Sequence, residues 1–584
     1  MNKTCKHCSE NFETTEDDAK FYERLDSPAP EFCPSCRMRI RLAHRNERSL
    51  YRRSCDLCKK EKISIYPPDT SFPVYCNSCW WSDDWDVKSF SLDWDPDRPF
   101  LEQFKELQAK VPRIGLLSLT SINSEYTNNS ADNKNCYLLF AAEQNEDCLY
   151  GRLIQHCKSV VDACFVYDSE LCYECIDCRQ CYNCLFSEKC QTSTNLLFCS
   201  DVRDSQNCIL STNLRHKSYY IENKQYSKED YEKKKKEILK SRENIDAAKK
   251  RFEKIKSAAL IKSAFQTKCV NATGNYLFNC HDTRFIFDAS NAKNCAYMGD
   301  AEEPIDFLDG NNVYYKPELC LDIMGTLQSY RSKHCIFIFY CSNMEYCDNC
   351  HNSNDCFGCI GLKKSSYCIL NKTYPKEEYE KLLPKLIESM KKDGSYGSFF
   401  PPNMSVYGYN ETAAYDFFPI SKEEALKLGF RWQEKISGTY NKGTVPLDKT
   451  PGTIEEVDER FLGEVLTCEN CSKNFRITPA ELEFYRRMHL PLPRKDFECR
   501  HQERMNKRTP RKLWHRTCAC GGRKSQAPNT SAKGGSASGG KSQYENTAMH
   551  SHGTNPCPNE FETSYSPNRP EIVYCESCYN AEVA

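Results

Sequence analysis

Cys33-Pro-Ser-Cys36-Arg-Met-Arg-Ile-Arg41 returns 463 positions later as Asp496-Phe-Glu-Cys499-Arg-His-Gln-Glu-Arg504. The same offset carries Cys5, Cys8, Cys36 and Cys55 onto Cys468, Cys471, Cys499 and Cys518, and Phe12, Tyr22, Arg24 and Pro30 onto Phe475, Tyr485, Arg487 and Pro493. A repeat of this kind fixes which cysteines belong together. Zinc takes four ligands in a tetrahedron, and a Cys-x-x-Cys turn sets two sulfurs on one side of the ion. Cys5, Cys8, Cys33 and Cys36 therefore read as one zinc site, with a short helix over Glu16 to Leu25 between the two turns. Cys55, Cys58, Cys76 and Cys79 read as a second.

The distal copy departs from this pattern twice. Asp496 stands where Cys33 would recur, so the third site is Cys468, Cys471, Asp496 and Cys499, with His501 a rival ligand. A carboxylate oxygen ligates zinc at a distance similar to nitrogen. Nothing three residues beyond Cys518 matches Cys58. Cys557 precedes Cys575 by the same 18 positions that separate Cys58 from Cys76, so an insertion has opened the turn. The fourth site reads as Cys518, Cys557, Cys575 and Cys578, with Cys520 spare and His550 and His552 as alternatives. The inserted stretch contains GGRKSQAPNTSAKGGSASGGKSQ, a composition expected of a flexible loop.

The order Cys5, Cys8, Phe12, Phe21, Tyr22, Pro30, Cys33, Cys36, Arg37 resembles the probable zinc-ribbon family of bacterial proteins. It reappears at Cys468, Cys471, Phe475, Phe484, Tyr485, Pro493, Cys499 and Arg500. The whole chain is similar to large uncharacterised bacterial proteins carrying such ribbons at both ends. The resemblance implies zinc binding and no reaction.

Of the 39 cysteines, 23 lie between Cys136 and Cys368, in a second duplication. An offset of 148 carries Cys199 to Cys347, Cys208 to Cys356, Tyr219 to Tyr367 and Asn223 to Asn371. Segments such as Tyr137-Leu-Leu-Phe140 and Cys335-Ile-Phe-Ile-Phe-Tyr340 alternate with Asn, Asp and Ser turns, as expected of a β-solenoid whose coils bury only against their neighbours. Cysteine is small and often buried, so it suits the inside of such coils. The run Cys172, Cys175, Cys178, Cys181, Cys184, Cys190 leaves extra zinc or an iron–sulfur cluster as alternatives. Each copy closes on a helix opener, Ser227-Lys-Glu-Asp or Pro375-Lys-Glu-Glu, and the first helix, polar on most faces, reads as a solvated spacer.

Composition bounds the rest. The formal net charge is −1, so no overall field draws in nucleic acid or membrane. No apolar run reaches the ~20 residues of a membrane span, and the acidic start does not resemble a signal peptide, so a cytoplasmic location is expected. In a reducing compartment, paired Cys-x-x-Cys motifs favour metal over disulfides. The stretch Arg37 to Arg53 has seven arginines and one acid, and Arg494 to Arg516 nine basic residues against three acids. These stretches suit nucleic-acid contact, or pairing with the acidic stretches Ser82 to Asp86 and Asp93 to Asp97. Trp80, Trp81, Trp85 and Trp94 read as a packed cluster. No phosphate loop, dinucleotide fingerprint, His-Glu-x-x-His or Gly-x-Ser-x-Gly is present, so no catalytic residue is assigned.

The expectation is a multi-domain, mainly β protein with short helices and about four zinc ions. Zinc ribbons at 1–54 and 55–119 precede Cys-rich β-solenoid copies at 120–226 and 263–374, separated by a charged helix at 227–262. A helix and Pro-rich connector at 375–463 leads to ribbons at 464–517 and 518–584, the last carrying the low-complexity insertion 519–556. The expected role is a non-enzymatic binding scaffold for a protein partner or nucleic acid, with redox or iron–sulfur chemistry as the alternative.

Overall fold

The computed structural model describes residues 2–314, 318, 320–526 and 543–583. The centre of the insertion, 527–542, lies outside the described residues. The protein is mainly strands and short helices, divided into two compact units built from separated stretches. Met1–Leu116, Ala264–Ile436 and Pro510–Lys512 form the first; Leu117–Ser263, Ser437–Thr509 and Leu513–Ala584 form the second. The N-terminal cysteine pairs thus share a unit with the later half of the middle, and the C-terminal pairs with the earlier half.

Each unit contains a parallel stack of short strands. In the second unit Ser118 pairs with Ser130, Lys134 with Glu146, Leu149 with Val161, Tyr182 with Thr194 and Arg203 with Arg215, always twelve residues on. In the first unit Lys293 pairs with Ile305, Met324 with Ile336 and Ser342 with Asn354. Phe307 pairs with Cys320, thirteen residues on, so one extra residue separates the two phases of this stack. The duplication offset of 148 becomes 147 on the N-terminal side of that point.

Within each twelve residues the backbone has a period of three. Asp162, Phe165, Asp168, Leu171, Glu174, Asp177, Gln180 and Asn183 all have φ between +48° and +57°. That left-handed conformation costs an L-residue roughly 1–2 kcal/mol, least for Asn and Asp, which explains their abundance here. Inter-strand bonds offset the cost. The Asp168 N–H donates to Gln155 O at 3.0 Å, and the Asn183 N–H to Glu170 O at 3.0 Å. Side-chain ladders add to it: Asn183 donates to Asn195, and Asn195 to Asn207, at 2.8 and 2.9 Å.

The residue after each left-handed one is buried in the middle of the stack. Cys172, Cys175, Cys178, Cys181, Cys184, Cys190 and Cys199 occupy these positions, with Ser169, Ser187 and Ser193 between them. Only four such residues fall within each twelve, so the interior admits small side chains. A Cβ on Gly151 would meet Ile154 Cδ1 at 2.3 Å. Inward side chains also have a polar duty. The Cys181 N–H donates to Ser169 Oγ at 3.0 Å, the Cys157 N–H to Asn145 Oδ1 at 3.0 Å, and the Val160 N–H to Cys148 Sγ at 3.4 Å. The thiols in turn donate to carbonyls: Cys175 to Cys184 O at 3.2 Å and Cys178 to Ile176 O at 3.4 Å. A buried N–H left without a partner is costly, and cysteine supplies one in little volume.

Each stack ends in a tight antiparallel hairpin. Glu222 and Asn223 turn one, and Leu370 and Asn371 the other, all four with positive φ. Asn223 and Asn371 donate back to Thr212 O and Ile360 O, both at 2.9 Å, which covers the last strand edge. The expected single solvated spacer is instead two helices, Lys228–Leu239 and Arg242–Ser257, broken where Ser241 caps the second. Tyr231, Ile238, Ile245, Ala248 and Phe252 are buried. A narrow apolar stripe suffices when it packs on a stack, which the excess of Lys and Glu conceals in the sequence.

Inside each unit the arginine stretches seat on the stack a helix that carries cluster cysteines. In the first unit the helix Pro34–Leu42 directs Arg37 Nε to Asp309 at 2.8 Å. Arg41 reaches Asp309 and Asp322, each at 3.0 Å, and Asn311 at 2.9 Å. The capping-box acid of the helix Glu16–Arg24, Asp18, accepts from Tyr297 Oη at 2.8 Å. In the second unit the helix Phe497–Asn506 repeats this: Arg500 pairs with Asp162 and Arg504 lies 3.0 Å from Asp162, while Arg508, just beyond the helix, lies 2.8 Å from Asp177. Glu481, the capping-box acid of Pro479–Met488, accepts from Tyr150 Oη at 2.7 Å. Tyr150 and Tyr297, and Asp162 and Asp309, are each related by 147 positions. The arginine partners are therefore aspartates at left-handed corners of the stacks, not the acidic stretches Ser82 to Asp86 and Asp93 to Asp97. Arg48 pairs with Asp416 at 2.6 Å and Arg53 with Asp56 at 2.8 Å, while Arg52 stays exposed beside Glu61. Arg511, in the Pro510–Lys512 piece of the first unit, pairs there with Asp288 at 2.7 Å and with Asp300. Buried, paired guanidiniums are closed to phosphates. Trp80, Trp81 and Trp85 surround an internal cation, with Lys363 Nζ at 4.3, 5.5 and 4.6 Å from their ring centres. Among the described residues no helix is long and apolar enough to cross a membrane.

Candidate metal centres

Three of the four expected sites begin with the same local turn. The Cys5 N–H donates to Glu10 O and the Ser9 N–H to Cys5 O; Cys55 with Lys60 and Lys59, and Cys468 with Lys473 and Ser472, do likewise. Ser9, Lys59 and Ser472 close these turns with φ near +62°. The turn aims both sulfurs of a Cys-x-x-Cys to one side. The second pair comes from a helix start: Cys33 and Cys76 are N-caps, and Cys36 and Cys79 lie in the first turns.

The ligand atoms of Cys5, Cys8, Cys33 and Cys36 lie within 4.8 Å of one another, as do those of Cys55, Cys58, Cys76 and Cys79. Two further sets meet the same limit: Cys468, Cys471, Asp496 and Cys499, and Cys518, Cys557, Cys575 and Cys578. Sulfur–sulfur separations are 3.7 Å for Cys8–Cys33 and 3.9 Å for both Cys58–Cys76 and Cys557–Cys575. A disulfide would need about 2.05 Å. Four sulfurs about 2.3 Å from a common centre lie about 3.8 Å apart, so these spacings fit a tetrahedral cation. Backbone donors support the sulfurs: Cys33, Cys76 and Cys575 N–H groups each donate to Cys5, Cys55 and Cys518 Sγ at 3.2 Å. All 39 cysteines are free thiols.

Crowding already favours ionisation. The Cys36 thiol pulls Cys33 down to about 5, against the opposing effect of burial, and Cys518 pulls Cys575 down to about 3. Burial pushes Cys8 up to about 11. Each of these clusters holds a readily formed thiolate beside thiols held above their usual range, Cys8 and Cys36 in one and Cys518 and Cys578 in the other, and a divalent cation would displace their protons.

Asp496 does two things. Its Oδ1 accepts from the Glu498 and Cys499 N–H groups at 2.8 and 3.1 Å, capping the helix Phe497–Asn506. Its Oδ2 faces the cluster, 2.8 Å from Cys471 Sγ. His501, the rival ligand, is turned away and buried, 3.6 Å from Cys164 Sγ in the stack. At the fourth cluster the opened turn is rebuilt from separate strands, with the Cys518 N–H donating to Asn559 O at 2.8 Å. Cys520 is not spare: it lies 3.3 Å from His550 and 3.5 Å from His552. The sequence signal for that contact is the Cys-Ala-Cys and the His-Ser-His on either side of the Gly- and Ser-rich stretch.

Among the described residues every convergent ligand set lies in the terminal modules, and the run Cys172 to Cys190 supplies none. Those thiols are spent on the inward hydrogen bonds of the stack. No family model matches the chain, and no curated protein matches it. Among solved structures, a putative acetyltransferase from Desulfovibrio desulfuricans G20 is similar over 45% of this chain and 69% of that one, at 9% identity and a TM-score of 0.11. A likeness at that score carries no argument.

Proposed function

We propose that this protein is a zinc-organised, non-enzymatic binding scaffold. In each unit a pair of zinc ribbons clamps a short helix onto a Cys-rich β-solenoid. The solenoid reading rests on pairing twelve residues apart, left-handed residues every third position and an inward column of small side chains. Zinc is the cation because soft thiolate sets with tetrahedral spacing select it, and closed four-ligand sites hold it structurally. The observation that carries the reading is the convergence of Cys5, Cys8, Cys33 and Cys36, matched by three further sets at corresponding places in the chain. Free thiols throughout suit a reducing compartment such as the cytoplasm. Internal docking, rather than nucleic-acid binding, accounts for most of the arginines. Elemental analysis of purified protein tests the proposal. At least four zinc ions per chain are expected, and fewer than two would reject it.

A further inference from the structure

We infer that Cys520, His550, His552 and Cys578 hold one more divalent cation beside the Cys518, Cys557, Cys575 and Cys578 centre, with the Cys578 thiolate bridging the two. The inference rests on the zinc reading of the fourth centre and extends it.

The ligand atoms of this second set lie within 4.8 Å of one another. His552 Nε2 is 3.2 Å from Cys578 Sγ and 3.5 Å from Cys520 Sγ, and His550 Nδ1 is 3.3 Å from Cys520 Sγ. The outer nitrogens are fixed by other partners. His550 Nε2 lies 2.8 Å from Glu582 Oε1, with both side chains almost fully buried, and His552 Nδ1 lies 2.7 Å from Asn555 O. An imidazole that donates on its outer side offers a lone pair on its inner side, as metal-bound histidines do. Both rings therefore present lone pairs to the same point. Glu582 is itself held by the Thr547 and Ala548 N–H groups, at 2.9 and 3.2 Å, and by Tyr544 Oη at 3.0 Å. Asn546 Nδ2 donates to Cys520 Sγ at 3.2 Å, supporting a thiolate there.

The arrangement also has a physical rationale. In the other centres a two-residue turn joins the first two ligands, whereas Cys518 and Cys557 are 39 positions apart. Closing a long loop costs chain entropy that a tight turn does not. A second cation would tie Cys520 on the outgoing limb to His550 and His552 on the returning limb. The insertion would then be pinned at its base by the ion, in place of the lost turn.

The test uses the full-length protein loaded with zinc, and separately with cadmium-113. Five zinc ions per chain are expected, falling to four in Cys520→Ser and in His552→Asn. Cadmium NMR should give five resonances in the wild type. Two should be mutually coupled through the shared sulfur, one of them in the range of a mixed sulfur–nitrogen site. Four zinc ions in the wild type, unchanged in both variants, would overturn the inference and leave thiol–imidazole hydrogen bonds, while the four-site reading stands. Fewer than two in the wild type would overturn both. If Cys520→Ser loses more than one ion because its ribbon unfolds, the wild-type coupling decides: a coupled pair supports the bridge, and its absence overturns it.

Discussion

At the start of the arginine-bearing helix, Pro34–Leu42 or Phe497–Asn506, the first unit places Cys33 and the second places Asp496. Both residues are N-caps aimed at the sulfurs of the preceding turn, but only Asp496 also caps with its side chain. The second unit thus exchanges a thiolate for a better helix start. The docking of the two helices is retained, Arg37 on Asp309 and Arg500 on Asp162. Helix seating and the make-up of the ligand cluster are thus separable: the first depends on buried charge pairs, the second on what the turn and the helix start aim inward.

Metal removal should break the comparison most strongly. Structural zinc contributes apparent values of roughly 10–16 kcal/mol at neutral pH. A chelator titration followed by zinc release should empty the Asp496 centre before the Cys5 centre, and Asp496→Cys should bring the two closer together. Release in the opposite order would count against a weaker carboxylate site.

The docking arginines come next. Removing one partner of a buried ion pair costs about 3–5 kcal/mol. Arg41 has two carboxylates, an amide and the Tyr297 carbonyl at 3.0 Å, whereas Arg504 has Asp162 as its carboxylate. Urea unfolding should therefore show Arg41→Ala more destabilised than Arg504→Ala. Equal losses would mean that the units share stability in some other way.

Inside the stacks the two units should behave alike. Cys148 Sγ accepts from the Val160 N–H, and Cys347 Sγ accepts from the Cys359 N–H at 3.5 Å. Replacement by Ser keeps an acceptor and should cost little. Replacement by Val leaves the N–H unpaired, at about 1–3 kcal/mol. Thermal melts of the four variants check this; Val tolerated as well as Ser at both positions would refute the polar role of the thiols.

The smallest effect concerns pH and the first unit. His44 is buried against Phe399 and Phe400, and burial lowers its pKa from 6.5 to about 3. Its repeat position in the second unit is Lys507. The unfolded chain binds the proton more readily, so stability present above pH 6.5 is lost as the pH falls towards 3. The slope is up to about 1.4 kcal/mol per pH unit. Metal ligands titrate too, so the measurement is the difference between wild type and His44→Gln at pH 6.5 and 5. Identical slopes would remove His44 from the acid sensitivity.

Which cysteines group together follows from the chain order alone, because a Cys-x-x-Cys turn is local chemistry and a constant offset pairs one turn with the next. The sequence also exposed Asp496 as a departure and cysteine as an interior residue. Much of the period-three pattern was readable at Cys172 to Cys184, but the need to satisfy inward N–H groups was not, because it arises only when strands stack. Which half of the middle each end sits on emerges only on folding. That choice lies in pairs such as Arg37 and Asp309, 272 positions apart, each unremarkable until buried against the other. Folding also brought Cys520 to His550 and His552: the Cys-Ala-Cys and His-Ser-His pairs mark possible ligands in the sequence, but their approach depends on how the two limbs return.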